Sequence, residues 1–112
     1  MSDTYHHGNL RESLIEAGVR IINESGEDAL SLRKVASACG VSHAAPYAHF
    51  ADKDELIDSI KKSVTEQLVG ELEDAVRSAS NAENAIVGMG KRYVSFFRGN
   101  PDYFKFFSDV RI

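Results

Sequence analysis

Residues 31–50 read SLRKVASACGVSHAAPYAHF, and this stretch decides the fold. Ser31 is a favoured N-cap residue, and the apolar residues after it recur at helical spacing, which predicts a short helix. Gly40 permits the left-handed backbone with which many helices end. Ser42 is then expected to cap a second short helix over residues 43–50. The inner face of the first helix is predicted to consist of Leu32, Val35, Ala36 and Cys39, with Val41 buried in the turn.

An earlier helix is expected to begin near Leu10. Asn9 precedes it as N-cap, and Glu12 stands at the spacing of a capping box. Gly26 follows the last apolar residue, where a C-terminal cap with a left-handed backbone belongs. Residues at helical spacing predict one buried stripe on this helix: Leu14, Ile15, Gly18, Ile21 and Ile22.

A long helix is predicted to follow residues 31–50. Asp52 caps it, and Glu55 again stands three residues later. No helix breaker occurs before about Ala79, so the helix is on the order of 40 Å long at 1.5 Å per residue. A helix of this length reaches beyond a small three-helix domain. Its apolar positions are Leu56, Ile57, Ile60, Val64, Leu68, Leu72, Ala75 and Val76.

A further helix is expected to start at Asn81. The tripeptide Gly99-Asn100-Pro101 predicts a stop and a restart, with Asn100 as the cap and Pro101 in the first helical position. The apolar side of the helix that starts at Asn81 is predicted to carry Ile86, Met89, Tyr93, Phe96 and Phe97.

The predicted fold class is all-α, because no segment alternates apolar and polar residues as a strand does. Residues 1–55 are expected to form a three-helix DNA-binding domain, since a helix, a glycine-containing turn and a second helix constitute a helix-turn-helix. Residues 56–112 are expected to form the linking helix and a C-terminal helical domain. The chain stops at Ile112 inside an apolar helical pattern, so we expect this second domain to be incomplete.

The charge distribution is informative although the chain is acidic overall. The formal net charge is -4, which lacks the strongly basic character of many nucleic-acid-binding domains. Residues 30–50 nevertheless contain no acidic side chain, and they hold Arg33, Lys34, His43 and His49. A locally basic face of this kind is compatible with phosphate binding.

The second helix of a helix-turn-helix enters the major groove of DNA, and residues at its N-terminal end contact the bases. Ser42 and His43 occupy that end, and the small side chains of Ala44 and Ala45 let the backbone approach base edges. Tyr47 and His49 offer hydrogen-bond donors to phosphate oxygens. Lys53 adds a charge at the start of the long helix, where free N–H groups favour phosphate.

Residues 10–60 resemble the tetracycline-repressor (TetR) family of regulators. The most specific part is Tyr47-Ala48-His49-Phe50-Ala51-Asp52-Lys53-Asp54-Glu55-Leu56, which has the pattern Tyr-x-His-Phe-x-x-Lys-x-x-Leu. The resemblance implies a repressor that binds a palindromic operator as a homodimer and responds to a small-molecule effector. It implies phosphate contacts by Ser31, Tyr47, His49 and Lys53, and base reading by Ser42, His43, Ala44 and Ala45, with Arg33 as a further candidate. Pro46 departs from the family, which has an aliphatic residue there, and is expected to tilt or tighten the recognition helix.

The C-terminal part is rich in aromatic residues at helical spacing. Two interpretations stay open: these residues line the pocket for an effector, or they are plain core. The candidates are Tyr93, Phe96, Phe97, Tyr103, Phe104 and Phe107.

Other functional classes find less support in the sequence. No phosphate-binding glycine loop, paired nucleophile and base, or carboxylate pair indicates an enzyme, and no cofactor or metal site is expected. The polar residues 1–9 and the absence of a long apolar run lead us to expect a cytoplasmic protein without a membrane span. The alternative function is a helical module that binds a small molecule or a protein and keeps the helix-turn-helix only as a scaffold. We expect this chain alone to be monomeric, or to dimerise through exposed aromatic residues.

Overall fold

The computed structural model describes residues 9–103. No strand occurs among these described residues, and the all-α prediction is confirmed. Two short 3-10 segments, Glu27–Ala29 and Ala45–Ala48, interrupt the series of α-helices. The four α-helices are α1 (Leu10–Ser25), α2 (Leu32–Cys39), α3 (Lys53–Ser78) and α4 (Ala82–Gly99).

Each α-helix begins at a polar side chain that accepts a hydrogen bond from a backbone N–H group three residues later. Such a bond satisfies one of the N–H groups that the first turn of a helix leaves unpaired. The caps at Asn9, Ser31 and Asp52 are those that the sequence predicts, whereas Asn81 was predicted as the helix start. The pairs, with the cap first, are Asn9 and Glu12 at 3.1 Å, Ser31 and Lys34 at 3.0 Å, Asp52 and Glu55 at 3.0 Å, and Asn81 and Asn84 at 2.8 Å. The predicted cap at Ser42 is wrong, because the segment Ala45–Ala48 begins without a side-chain cap.

The chain divides into two compact units, Met1–Lys61 and Lys62–Ile112, so the division falls within α3. The domain boundary at residue 55 stays a proposal. In the first unit the apolar faces of α1, α2 and the start of α3 form the core. Its largest buried side chains are Leu14, Ile22, Leu30, Val35, Phe50, Leu56 and Ile60.

Two glycines give the first unit its turns. Gly40 has φ 70° and ψ 29°, which is the left-handed conformation predicted for the end of α2. Gly26 also has a positive φ of 87°, but its ψ of 166° takes it out of the left-handed helical region. The backbone N–H of Gly26 still donates to the carbonyl of Ile22 at 2.8 Å.

Cys39 belongs to the core of the first unit. Its Sγ atom donates to the carbonyl oxygen of Ser13 at 3.4 Å, which links α2 to α1. Burial raises the pKa of the Cys39 thiol, because a thiolate is poorly solvated there. The residue is therefore protonated at neutral pH and packs as a small apolar side chain.

In the second unit, α3 and α4 are joined by a cluster of charged residues. The Arg92 guanidinium donates to the carboxylates of Glu71 at 3.2 Å and Asp74 at 3.0 Å, and to the backbone carbonyl of Glu71. Near this cluster the helices pack closely, since a Cβ atom built on Gly88 would lie 3.6 Å from that of Ala75. Arg92 thus ties α4 to the last turns of α3.

Several apolar residues are less buried than the sequence predicts. Val41 is only half-buried, so it is not a plug that fills the turn. The side chains of Val76 and Ile86 are 48% and 70% exposed. Ile21, predicted in the buried stripe of α1, is also half-buried, so the predicted burial of Val41 and Ile21 was wrong. Helical spacing identifies the apolar side of a helix but not where along its length another element covers that side.

The segment after α4 is partly described. Asn100 ends α4 through an N–H bond to the carbonyl of Phe97, and the N–H of Tyr103 donates to the carbonyl of Asn100 at 3.0 Å. The predicted restart after Pro101 is described only to Tyr103. Among residues 9–103, no helix combines the length and the hydropathy needed to cross a bilayer.

Candidate nucleic-acid interface

The recognition segment, residues 42–50, contains a shorter and more tightly wound helix than predicted. The sequence indicates an α-helix over residues 43–50, whereas the structure has a 3-10 segment at Ala45–Ala48. Pro46 is the physical reason, because it has no N–H group to donate to the carbonyl of Ser42. That carbonyl accepts the N–H of Ala45 instead, at 3.0 Å, and so closes a tighter turn. The predicted α-helix is wrong here, although the expected tightening by Pro46 is found.

The N-terminal end of this segment is open to solvent. Ser42, His43 and Ala44 are exposed, and Ala45 is half-buried. The Nε2 atom of His43 lies 3.3 Å from Oγ of Ser37, which ties the segment to α2. Sequence reasoning missed Ser37, since a contact across a turn has no periodic signal. The base-reading roles stay predictions, and the exposure of these side chains is what such roles require.

A shallow groove beside the recognition segment collects most of the predicted phosphate-contacting residues. Ser31 comes from the start of α2, Tyr47 from the recognition segment and Lys53 from the start of α3. Arg33, predicted as a base-reading candidate, lines the same groove. The remaining lining residues are Leu32, Ala51 and Asp52. Residues from three separate elements therefore converge on one surface.

The groove offers donors and positive charge to an anion. The Tyr47 side chain is 60% exposed, so its hydroxyl is accessible. Lys53 is the first residue of α3, where the helix dipole and unpaired N–H groups also favour an anion. Asp52 is the one acidic residue of the lining, and its Oδ1 atom is engaged as the cap of α3. This combination fits a phosphate backbone better than a metal ion or a neutral ligand.

His49 is separate from the groove. It is half-buried, and its ring centroid lies 6.2 Å from that of Phe50. The structure thus brings together three of the four predicted phosphate-contacting residues and leaves out His49. A phosphate contact by His49 stays a prediction.

Arg11 is a residue whose role the sequence did not indicate. Its Cζ atom lies 5.4 Å from the centroid of the Phe50 ring, a cation–π distance. Its Nη2 atom also donates to Oγ of Ser59 at 3.2 Å. Arg11 therefore connects α1 to the end of the recognition segment and to α3. Contacts between residues so far apart in the sequence leave no local pattern.

The Arg11 contacts predict a specific loss of stability. Arg11→Ala is expected to lower the free energy of unfolding by about 0.5–1.5 kcal/mol, because it removes a cation–π contact and an exposed hydrogen bond. Urea denaturation followed by circular dichroism measures the effect. Arg20→Ala, which changes another exposed arginine of α1, is the control and is expected to have a smaller effect. Equal stability of the two variants would contradict the role given to Arg11.

The aromatic residues of the second unit form a cluster. Ring centroids lie 5.0 Å apart for Tyr93 and Phe97, and 5.9 Å apart for Phe96 and Tyr103. Tyr103 is buried, and this burial raises the pKa of its hydroxyl. Phe104 and Phe107 lie outside the described residues. The choice between an effector pocket and plain core stays open.

A separate groove runs along α4 in the second unit. Its lining combines three aliphatic and two basic side chains, and the aromatic cluster is not part of it. The lining residues are Ile86, Val87, Gly90, Lys91, Val94, Ser95 and Arg98. Within residues 9–103, no group of histidine, cysteine and carboxylate side chains is arranged to hold a metal ion.

Comparison with known proteins points in the same direction as the geometry. Residues 14–60 match the model of a family described as bacterial regulatory proteins, tetR family. The chain is 39% identical over 59 residues to the HTH-type nicotine-responsive transcriptional repressor HdnoR of Paenarthrobacter nicotinovorans. That match covers 53% of this chain and 30% of the repressor.

Solved structures share the fold over a larger part of the chain. A protein of unknown function from Rhodococcus sp. RHA1 superposes with a TM-score of 0.79 at 36% identity, over 93% of this chain and 54% of that one. The TetR-family regulator PfmR of Thermus thermophilus gives a TM-score of 0.64 at 28% identity, over 84% of this chain and 50% of that one. The chain therefore spans about half the length of these solved relatives.

Proposed function

We propose that this protein is a sequence-specific, DNA-binding transcriptional repressor, because residues 14–60 match the model of the tetR family of bacterial regulatory proteins. Its recognition segment enters the major groove, and the surface beside the segment holds the phosphate backbone. The proposed activity is binding and not catalysis.

The observation that carries this proposal is the groove shared by Ser31, Tyr47 and Lys53. These residues are distant in sequence, and each presents a donor or a positive charge on the same surface. The exposed N-terminal end of the recognition segment adjoins Tyr47 along the chain. In a helix-turn-helix, phosphate contacts position the protein on DNA and base contacts determine the sequence that it binds.

The remaining parts of the proposal concern the partners. We infer that the protein binds a palindromic operator as a homodimer in the cytoplasm and responds to a small-molecule effector. Support comes from the family match and from the description of one relative as a nicotine-responsive repressor. The effector of the present chain is not assigned by that description.

Selection from a randomised pool of DNA duplexes at two salt concentrations tests the proposal. A single enriched consensus, with affinity that falls steeply as salt increases, is the expected result. A palindromic consensus would support binding as a homodimer. If no duplex is retained even at low salt, the proposal fails, and a helical module for a small molecule or a protein becomes the better account.

Lys53→Ala is expected to weaken binding to all duplexes to a similar extent, by about five- to tenfold, because a phosphate contact carries no sequence information. The slope of log affinity against log salt should also become shallower by about 0.9, the value for one lost phosphate contact. Fluorescence anisotropy titrations at several salt concentrations measure both quantities.

Lys62→Ala provides the control for this prediction. Lys62 is an exposed lysine on the same helix, and it is not part of the groove lining. It has the same formal charge, so its replacement changes the net charge equally. If Lys53→Ala and Lys62→Ala change the salt slope by the same amount, the effect is one of overall charge and the phosphate assignment is wrong.

A further inference from the structure

The recognition segment lacks the side chains that usually read purines. Guanine is typically read by arginine or lysine, and adenine by asparagine or glutamine, through paired hydrogen bonds in the major groove. None of these four residue types occurs between Ser42 and Phe50. The same stretch contains Ala44, Ala45 and Ala48. Apart from Ser42 and His43, the exposed groups that the N-terminal end of this segment offers to bases are apolar.

The 3-10 geometry assigns Ala44 to the side of the phosphate groove. The N–H of Tyr47 donates to the carbonyl of Ala44 at 3.1 Å, which is the three-residue step of a 3-10 turn. With three residues per turn, side chains three apart lie on the same side of the segment. Tyr47 lines the groove, so the exposed methyl group of Ala44 is placed on the same side of the segment, which under the proposed function faces DNA.

The other small residues are less suitable for base reading. Ala45 is half-buried and Pro46 is buried, so the protein itself covers much of their surface. Ala48 is exposed but stands at the C-terminal end of the segment, whereas base contacts come from the N-terminal residues. Ala44 is the alanine that is both exposed and near the N-terminal end.

Thymine is the base that presents an apolar group, its 5-methyl, in the major groove. We propose that Ala44 reads a thymine through methyl–methyl contact, so that each half-site contains a thymine whose methyl group is required. This inference rests on the proposed function and adds the chemistry of the base that is read. Under this inference, Ala44 recognises the 5-methyl group of thymine and not the hydrogen-bonding groups of the base pair.

Replacement of thymine by uracil isolates the methyl group. The duplex selected as above is remade with each thymine changed in turn to uracil, and binding of the full chain is measured by anisotropy. One position in each half-site is expected to weaken binding by about fourfold, the effect of one buried methyl group. At that position a 5-methylcytosine·guanine pair is expected to bind more tightly than an unmodified cytosine·guanine pair.

Two protein variants connect this effect to Ala44. Ala44→Gly is expected to bind the thymine and uracil duplexes equally well, because the partner methyl group is gone. Ala48→Gly, which changes an exposed alanine of the same segment, is expected to keep the discrimination. Circular dichroism of both variants shows that they are folded under the conditions of the titration.

The outcomes separate this inference from the proposed function. If a duplex is selected and bound in a salt-dependent way, but uracil is tolerated at every position, the methyl readout is wrong and the repressor assignment stands. If discrimination persists in Ala44→Gly, a different residue reads the thymine and the inference is also wrong. If no duplex is selected, the proposed function fails together with it.

Discussion

Phe50→Ala is expected to lower the free energy of unfolding by about 3–5 kcal/mol, the cost of removing a large aromatic side chain from a packed core. Phe50 is 1% exposed. Its ring also lies beneath the Arg11 guanidinium, so the substitution removes a cation–π partner as well as buried area. A loss of this size is a large fraction of the stability of a small domain.

Urea denaturation of Phe50→Ala, followed by circular dichroism at the helical signal, measures the loss directly. Tyr47→Ala is the matched control, because Tyr47 is an aromatic residue of the same segment whose side chain is 60% exposed. Its stability should stay within about 0.5 kcal/mol of the parent, as for most surface positions, while its affinity for DNA falls. A Phe50→Ala protein as stable as Tyr47→Ala would show that Phe50 is not a core residue.

Gly18→Ala is expected to destabilise the first unit, because overpacking costs about 1–3 kcal/mol and a gain of about 0.5–1 kcal/mol from helix propensity offsets only part of that cost. A Cβ atom at this position would lie 2.6 Å from Cδ1 of Ile60 and 3.5 Å from Cδ1 of Leu30. Both neighbours are buried, so the Ile60 side chain has little room to move away. The close approach of α1 and α3 thus depends on the absence of a side chain at Gly18.

Gly70→Ala and Ile60→Val serve as controls for the Gly18→Ala prediction. Gly70→Ala, in the interior of α3 with nothing within 4 Å of the added Cβ, should stabilise the protein by about 0.5–1 kcal/mol through helix propensity. Ile60→Val removes the atom that the new methyl group meets, so it should cost less in the Gly18→Ala background than in the parent. If the two substitutions prove additive, the clash with Ile60 is not the cause of the loss.

Much of the fold could be predicted because its signals are local. The four helix caps depend on residues three apart, and the sequence identifies three of them as caps and the fourth, Asn81, as the start of its helix. The exposure of Val76 and Ile86 could not be predicted, because burial depends on which other elements cover a helix. The 3-10 form of the recognition segment could be predicted only in part. Pro46 indicates a departure from the α-helix, but it does not by itself determine which turn replaces it.

The candidate site also has features that the sequence predicts and features that it does not. Ser31, Tyr47 and Lys53 were named from residue type and from the resemblance to a family, and their common groove follows from the packing of three elements. The bond from Arg11 to Ser59 joins residues 48 positions apart, and no spacing rule relates them. The separation of His49 from the groove likewise depends on how the turn after the 3-10 segment directs its side chain.

Pro46 has a consequence for the thermodynamics of DNA binding. Its ring holds φ near one value, so this residue has little backbone freedom even in the unfolded chain. Its burial restricts this residue further in the folded protein. The conformational entropy of Pro46 is therefore lost when the chain folds and not when DNA is bound. Under the proposed function, we therefore expect a smaller heat-capacity change on DNA binding than coupled folding of the segment would give.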